Sequence, residues 1–336
     1  MKKDRLELYK KLEEKRNSKL LIYITSNRRG LETQIGNDAL SFFTNQLDKI
    51  GDVNKISLYL FTRGGDTIAA WTILNLIRNF CEELEIIIPS ACHSAGTLMC
   101  LGANKIVMTK QATLGPIDPS INSPLNPKVM QQNPLAPAIP VNVEQIYAFF
   151  EMAKQVSKSN DSNSLINLYV DLAKYIHPTV LGAVFRSRSQ IRILAERLLK
   201  YNRDINDDKR NEIINFLCSE SGSHDYTINR KEAEEMGLKI EKPDDETYKI
   251  IKAIYDDIEK ELELINPYNP ISKISTNKTC SYKFRRGLIE TIEGGTDVYI
   301  SEGQLIKVQT PIMGQQMMPQ ETLQDNRSVD EWIHEN

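Results

Sequence analysis

A short apolar, β-branched run at residues 85–89 is followed by the pentapeptide Cys-His-Ser-Ala-Gly at 92–96 and by small, apolar residues up to 105. The run predicts a buried strand, and the stretch after the pentapeptide predicts a helix. Ser94 is therefore expected at a strand-to-helix turn among small neighbours. The unpaired amides of a helix's first turn favour negative charge beside its hydroxyl, as a serine nucleophile requires. The competing interpretation is that Ser94 only caps the helix.

Two further predicted strands end in residues of chemical interest. Residues 57–61 lead into Thr-Arg-Gly-Gly-Asp at 62–66, and residues 105–109 lead into a loop that contains Asp118. Paired glycines allow a close backbone approach and can present an N–H group to an oxyanion, although a tight turn also needs them. Because the ends of parallel strands meet at one sheet edge, we expect Gly64-Gly65, Ser94 and Asp118 to converge.

Composition narrows the functional classes. The 42 basic and 45 acidic side chains nearly cancel, so no global field favours nucleic acid. Five cysteines without metal-type spacing indicate reduced thiols and a cytoplasmic protein. No apolar run is long enough to span a bilayer, so we expect no membrane anchor in this chain. No Gly-x-Gly-x-x-Gly fingerprint follows the first strand, and we expect neither a dinucleotide nor any other cofactor, and no metal.

The motifs at 62–66, 93–97 and 114–119, in this order and spacing, resemble the serine dehydrogenase proteinase family. That family is a distant relative of Clp protease and of signal peptide peptidase A, within the Clp/crotonase superfamily. The resemblance is strong over 19–121 and continues to about residue 238. It implies an α/β fold: a Clp/crotonase-like core of repeated ββα units with a mostly parallel sheet, a helical extension and a small C-terminal β element.

The chain is expected to divide into three parts. Residues 1–18 predict a charged N-terminal helix, and 19–240 predict the Clp/crotonase-like serine peptidase domain, with a Pro-rich loop at 122–142. Within that domain, Pro178 is suited to open a helix. Residues 241–336 predict a C-terminal helix, a β-hairpin around Gly294-Gly295 and a polar tail from about residue 313.

The resemblance also implies site residues, because the family is described with a Ser, Asp, His order along the chain. Ser94 is then the nucleophile, His224 the base and Asp118 the residue that orients it, with Asp225 in reserve. The N–H groups of Gly65 and Ala95 are the expected oxyanion donors, since Ala95 lies in the first helical turn.

Other residues compete for the role of base. The side chain of His93 should diverge from that of its neighbour Ser94, His177 suits a helix cap, and His334 lies in the tail. A Ser–Lys dyad, as in signal peptide peptidase A, is the second mechanism. Its candidate lysines are Lys128, Lys154 and Lys174, and a lysine base needs burial to lower its pKa.

The sequence is compatible with three functions. The first is a serine endopeptidase-type hydrolase that cleaves peptide or ester bonds in a peptide or protein substrate through an acyl-enzyme on Ser94. The second is a crotonase-type enzyme acting on acyl thioesters, and the third is a catalytically silent scaffold that binds protein segments. Because relatives with this core build active sites at subunit interfaces, we also expect a homo-oligomer.

Overall fold

The computed structural model describes residues 3–118, 120–128, 138–157, 162–202, 204–220, 226–311 and 319–335. The chain forms two compact units. The core unit consists of Met1–Leu114 and Asn229–Asn336, and the inserted unit consists of Gly115–Ile228. The core unit is therefore built from both ends of the chain.

The strands, in chain order, are β1 (Lys19–Thr25), β2 (Val53–Phe61), β3 (Cys81–Ile88), β4 (Ala91–Cys92), β5 (Lys105–Met108), β6 (Thr113–Leu114), β7 (Ser120–Ile121), β8 (Val141–Asn142), β9 (Ile228–Asn229), β10 (Ile240–Glu241), β11 (Thr279–Thr291), β12 (Gly295–Pro311) and β13 (Pro319–Glu335). The α-helices are α1 (Lys3–Arg16), α2 (Leu40–Ile50), α3 (Thr67–Arg78), α4 (Ala95–Leu101), α5 (Val143–Ser157), α6 (Ser162–Leu172), α7 (Pro178–Leu199), α8 (Asp207–Asn215), α9 (Arg230–Glu235), α10 (Asp245–Glu261) and α11 (Pro270–Ile274).

The core unit contains one large sheet in the order β10-β5-β3-β2-β1-β11-β12-β13. The strands from β10 to β1 pair in parallel, and Leu58 on β2 lies opposite Ile86 on β3. The buried parts of β1, β2, β3 and β5 are mostly apolar because both faces of a parallel sheet are covered. The predicted α/β class with a mostly parallel sheet is confirmed.

The C-terminal β element is larger than the small hairpin predicted from the sequence. β11 pairs antiparallel with β1, and β12 and β13 continue the same sheet. Residues 319–335, which lie in the expected polar tail, form β13. This segment is ordered because Trp332 is buried against Tyr23 and Tyr299, with ring centroids 6.3 and 5.6 Å away.

Helices α1 and α10 contribute to the main core cluster of the core unit, in which Tyr9 and Leu12 are buried with Ile254 and Ile258. A buried charge network adds to this packing. Arg5, which is 1% exposed, donates to Glu290 on β11, with Nη2 2.7 Å from Oε1.

The inserted unit contains β7 and β8, which pair antiparallel, and helices α5 to α8. Helix α7 begins at Pro178, and His177 caps it because its Nδ1 accepts a hydrogen bond from Thr179 N. A small core forms from Val143, Val180 and Val184. Throughout the residues described for both units, no helix is both long and apolar enough to cross a membrane.

Candidate active site

Ser94 lies in the turn between β4 and α4, as the sequence predicts, and is half-buried. Its φ of 51° and ψ of −114° are strained for a residue with a Cβ atom. Although Ser94 stands at the N-cap position, its side chain makes no capping hydrogen bond. The hydroxyl is therefore not used for helix capping, which removes the structural role that competed with catalysis.

The residues around Ser94 hold the turn in this conformation. Gly96 N donates to His93 O at 2.9 Å, and Thr97 Oγ1 donates to Cys92 O at 3.0 Å. A Cβ atom at Gly96 would lie 2.4 Å from Thr62 Cγ2, so glycine allows α4 to approach the end of β2. The turn is thus fixed by hydrogen bonds within it and by a contact that only glycine permits.

The Gly64-Gly65 loop follows β2 and lies directly against Ser94. Both glycines have positive φ, 112° and 149°. A Cβ atom at Gly64 would be 2.8 Å from Ser94 Cβ, and one at Gly65 would be 2.3 Å from Ile35 O. Ile35 also pairs with this loop, because Ile35 N donates to Gly64 O and Asp66 N donates to Ile35 O, each at 2.9 Å. Substitution at either glycine would displace the loop.

Thr62 positions the same loop from within the core unit. Its buried hydroxyl accepts hydrogen bonds from Thr25 Oγ1 at 2.7 Å and from Gly64 N at 3.0 Å. Its backbone also bridges to β4, because His93 N donates to Thr62 O at 3.0 Å. Thr62 therefore joins the glycine loop to the strand that carries Ser94, a role that its place beside Arg63 in the sequence did not reveal.

The two residues predicted as oxyanion donors, Gly65 and Ala95, follow Gly64 and Ser94 directly in the chain. Ala95 is the first residue of α4, where backbone N–H groups have no partner within the helix. Among the hydrogen bonds of the described residues, neither of these two N–H groups is a donor. Unpaired donors next to a hydroxyl nucleophile are the arrangement that stabilises an oxyanion.

His93 is held away from a role as base. Arg63 Nη1 lies 3.2 Å from His93 Nδ1, and His93 Nε2 lies 2.9 Å from Thr113 Oγ1 on β6. A guanidinium only donates, so Nδ1 is the acceptor and the ring proton resides on Nε2. Because both ring nitrogens of His93 form hydrogen bonds, to Arg63 and to Thr113, neither is hydrogen-bonded to the hydroxyl of Ser94.

Cys92 is the other nucleophilic side chain next to Ser94. It is fully buried, and its Sγ lies 3.6 Å from Cys100 Sγ. Burial, together with the neighbouring thiol, raises the pKa of Cys92 well above its ordinary value, so it stays a thiol. All five cysteines are free thiols in the structure.

Asp118 and the candidate lysines belong to the inserted unit. Asp118 is 9% exposed and accepts a hydrogen bond from Asn142 Nδ2 at 2.7 Å. Lys154 pairs with Glu151 at 2.7 Å, and Lys128 is half-buried at a bridge to Ala138.

Lys174 has the wrong electrostatics for a base. Its hydrogen bond and ion pair with Asp171, at 2.6 Å, raise the pKa of the exposed ammonium group. A lysine base requires the opposite shift. His224 and its reserve partner Asp225 lie outside the described residues. Within the described ranges, no group of three or more histidine, cysteine or acidic side chains could hold a metal ion.

The resemblance recognised from the motifs is confirmed over the part of the chain that contains Ser94. Residues 1–135 match the family model of the ClpP-like SDH-type serine proteinases. This match includes the turn at Ser94 and the Gly64-Gly65 loop.

Two curated relatives are uncharacterized proteins of Methanocaldococcus jannaschii. MJ0137 is 30% identical over 186 residues, covering 55% of this chain and 53% of the relative. MJ1495 is 26% identical over 185 residues, covering 55% and 51%. The chain thus spans about half the length of the curated relatives that it matches.

Solved structures with similar coordinates include two proteases. A ClpP1 variant from Listeria monocytogenes is 13% identical, with a TM-score of 0.36, covering 70% of this chain and 99% of its own. A variant of the 1510-N membrane-bound stomatin-specific protease, in complex with a substrate peptide, is 22% identical, with a TM-score of 0.25, covering 44% of this chain and 64% of its own.

Proposed function

We propose that this protein is a serine peptidase-type hydrolase that forms an acyl-enzyme on Ser94. The observation that carries the proposal is the strained turn at Ser94, whose hydroxyl caps no helix and lies beside the Gly64-Gly65 loop. A nucleophile held in a strained strand-to-helix turn is exposed to substrate while its backbone stays fixed. The serine proteinase family matched by residues 1–135 supports the same chemistry.

In the proposed reaction, Ser94 Oγ attacks the carbonyl carbon of a peptide or ester bond. The negative charge that develops on the carbonyl oxygen is stabilised by the N–H groups of Gly65 and Ala95. The base takes the hydroxyl proton and passes it to the leaving group, and water then hydrolyses the acyl-enzyme. We assign the base to His224 and its orientation to Asp118, on the Ser, Asp, His order of the family.

Burial supports the assignment of Asp118, since a buried carboxylate held by Asn142 can keep an imidazole in one tautomer. The lysine dyad remains the second mechanism. Of its candidates, Lys154 and Lys174 are occupied by the carboxylates of Glu151 and Asp171. The ion pair with Asp171 raises the pKa of Lys174 and so favours its charged form, which cannot accept a proton.

The function is tested by labelling with a fluorophosphonate probe. Wild type should be modified and Ser94→Ala should not, while both show the same thermal unfolding. Equal labelling of the two proteins would reject Ser94 as the nucleophile. A wild type that is folded but never labelled, and that turns over no reactive ester, would favour the silent scaffold. Turnover of an acyl thioester that survives Ser94→Ala would favour the crotonase-type alternative.

The base is tested separately, by ester turnover in His224→Ala, Asp118→Asn and Lys128→Ala, with Lys154→Ala and Lys174→Ala as exposed-lysine controls. The triad requires that His224→Ala lowers kcat/KM by a factor of about 10² or more. If His224→Ala is fully active and Lys128→Ala is inactive, the dyad replaces the triad.

Self-association and a cytoplasmic location are also part of the proposal. The described part of the inserted unit exposes large apolar side chains, including Ile166, Val170, Tyr175 and Phe185. Exposed apolar groups of this size are typical of protein contacts. Light scattering should give a mass above one chain, and a monomer at every workable concentration would reject self-association. The five free thiols support a reducing compartment.

A further inference from the structure

Arg63 places an exposed positive charge next to the candidate nucleophile. It immediately precedes Gly64, the residue whose added Cβ would lie 2.8 Å from Ser94 Cβ. Its guanidinium donates to His93, the residue before Ser94. Arg63 is therefore attached to both segments that form the site. It is covalently joined to Gly64 and hydrogen-bonded to the neighbour of Ser94.

The position of the guanidinium is set by a hydrogen-bonded chain. Thr113 on β6 accepts from His93 Nε2 at 2.9 Å, and His93 Nδ1 in turn accepts from Arg63 Nη1 at 3.2 Å. This chain uses one nitrogen of the guanidinium and leaves its remaining N–H donors for other groups. An arginine side chain that is already held by a hydrogen bond loses less conformational entropy on binding a ligand than a mobile side chain does.

The charge of Arg63 is also unpaired in the part of the chain that the structure describes. No carboxylate of the described residues lies within ion-pairing distance of it, and its hydrogen-bond partner is the Nδ1 atom of His93. Arg16, by contrast, is paired with Glu85 at 2.6 Å and also with Glu241. An exposed arginine fixed in this way presents a planar donor array that matches a carboxylate.

We propose that Arg63 binds a carboxylate of the substrate, close to the bond that Ser94 attacks. The carboxylate belongs either to an acidic side chain or to the C-terminus of the bound segment. This inference rests on the proposed function, because it assigns Arg63 to the substrate side of the same site. Arg63 is then a specificity-determining residue, and acidic or C-terminal peptide segments are the favoured substrates.

The test measures binding in the Ser94→Ala background, so it does not depend on turnover. The probes are three fluorescein-labelled hexa-alanine peptides: one with a free C-terminal carboxylate, one with a C-terminal amide, and one amidated with a single internal glutamate. Fluorescence anisotropy should show that at least one carboxylate peptide binds about tenfold more tightly than the amidated peptide. Preference for the free C-terminus or for the glutamate identifies the source of the carboxylate.

The carboxylate preference should disappear in Ser94→Ala/Arg63→Gln and be partly kept in Ser94→Ala/Arg63→Lys. The matched control is Ser94→Ala/Lys11→Gln, which removes an exposed charge on α1 and should keep the full preference. A preference that survives Arg63→Gln, or equal binding of all three peptides to Ser94→Ala, would overturn the inference. If the proposed function itself is wrong, the fluorophosphonate probe will label Ser94→Ala as strongly as it labels wild type.

Discussion

Gly64 and Ser94 approach so closely that a Cβ atom at position 64 would lie 2.8 Å from the Cβ atom of the serine. The same atom would lie 3.2 Å from Ala95 N, one of the two proposed oxyanion donors. Real Cβ atoms avoid such contacts with backbone, so the absence of a side chain at Gly64 shapes the site. The φ of 112° at Gly64 adds a second requirement for glycine.

We expect Gly64→Ala to lower the rate of fluorophosphonate labelling at Ser94 by at least tenfold, because the methyl group displaces Ser94 or the loop. The strained φ should also reduce the free energy of unfolding by about 1–3 kcal/mol. Gly182→Ala is the control, since a Cβ atom there meets nothing within 4 Å. Labelling of Gly64→Ala at the wild-type rate would show that the contact is unimportant.

Thr62→Val should loosen the glycine loop without changing the volume of the core. The substitution removes the hydroxyl that accepts from Gly64 N and Thr25 Oγ1, leaving two donors unpaired. We expect the free energy of unfolding to fall by about 1–3 kcal/mol and labelling at Ser94 to slow. Thr62→Ser, which keeps the hydroxyl, should recover most of the labelling rate. If Thr62→Ser is labelled as slowly as Thr62→Val, the methyl group of Thr62, and not its hydroxyl, positions the loop.

Arg5→Met should be strongly destabilising, because it leaves the buried carboxylate of Glu290 without its positive partner. Glu290 is fully buried, and Arg5 Nη1 also bonds Asp257 and Glu261 at 2.7 Å. Removing one partner of a buried ion pair typically costs about 3–5 kcal/mol. Urea unfolding measures the change.

Lys10→Met on the same helix is the matched control for Arg5→Met. Lys10 pairs with Glu7 at 3.0 Å, and both side chains are more than half exposed. Exposed pairs of this kind contribute about 0–1 kcal/mol. Equal urea midpoints for the two variants would contradict a stabilising role for the buried network.

Glu241 predicts a pH dependence of stability. Burial alone would raise the pKa of Glu241, but hydrogen bonds from Arg16 and Lys105 outweigh it and lower the pKa from 4.5 to about 2. Because the folded pKa is depressed, the stabilising contribution is complete above pH 4.5 and is lost as the pH falls towards 2. Glu241→Gln should therefore melt below wild type near neutral pH, and the gap should close on acidification.

Thermal melts of both proteins from about pH 6 to about pH 3 measure this gap. Glu235→Gln is the control, since Glu235 is 67% exposed and lies 3.7 Å from Lys231. Its melting curve should follow wild type over the whole range. A constant gap for Glu241→Gln at every pH would indicate a packing effect rather than ionisation.

The sequence predicts β1, β2, β3 and β5 well, because each of these parallel strands contains a local apolar run that is buried. The runs at 57–61 and 85–89 match β2 and β3, and the turn at Ser94 follows from the change to small residues. The prediction of the glycine loop beside Ser94 also follows from strand order. The contact of Ile35 with Gly65 was not predicted, since the loop that carries Ile35 has no repeating pattern.

The C-terminal ribbon could not be predicted in full, since its pairing depends on partners far along the chain. Residues 319–335 look polar, but Asp330 accepts a hydrogen bond from Arg286 at 2.9 Å, and Asp325 accepts one from Tyr282 at 2.5 Å. Cross-strand pairs of this kind satisfy polar side chains within a sheet. Composition alone does not distinguish such a strand from a solvated tail.

The discontinuity of the core unit also affects how the protein is made. Ribosomes synthesise β1 to β5 first, and the edge of β1 stays open until β11 is made, because β11 is its antiparallel neighbour. Open strand edges can pair with other chains, so the exposed edge of β1 is an aggregation risk while the segment between β1 and β11 is being synthesised. Ser94 is therefore synthesised long before β11, the strand that covers the open edge of β1 in the same unit.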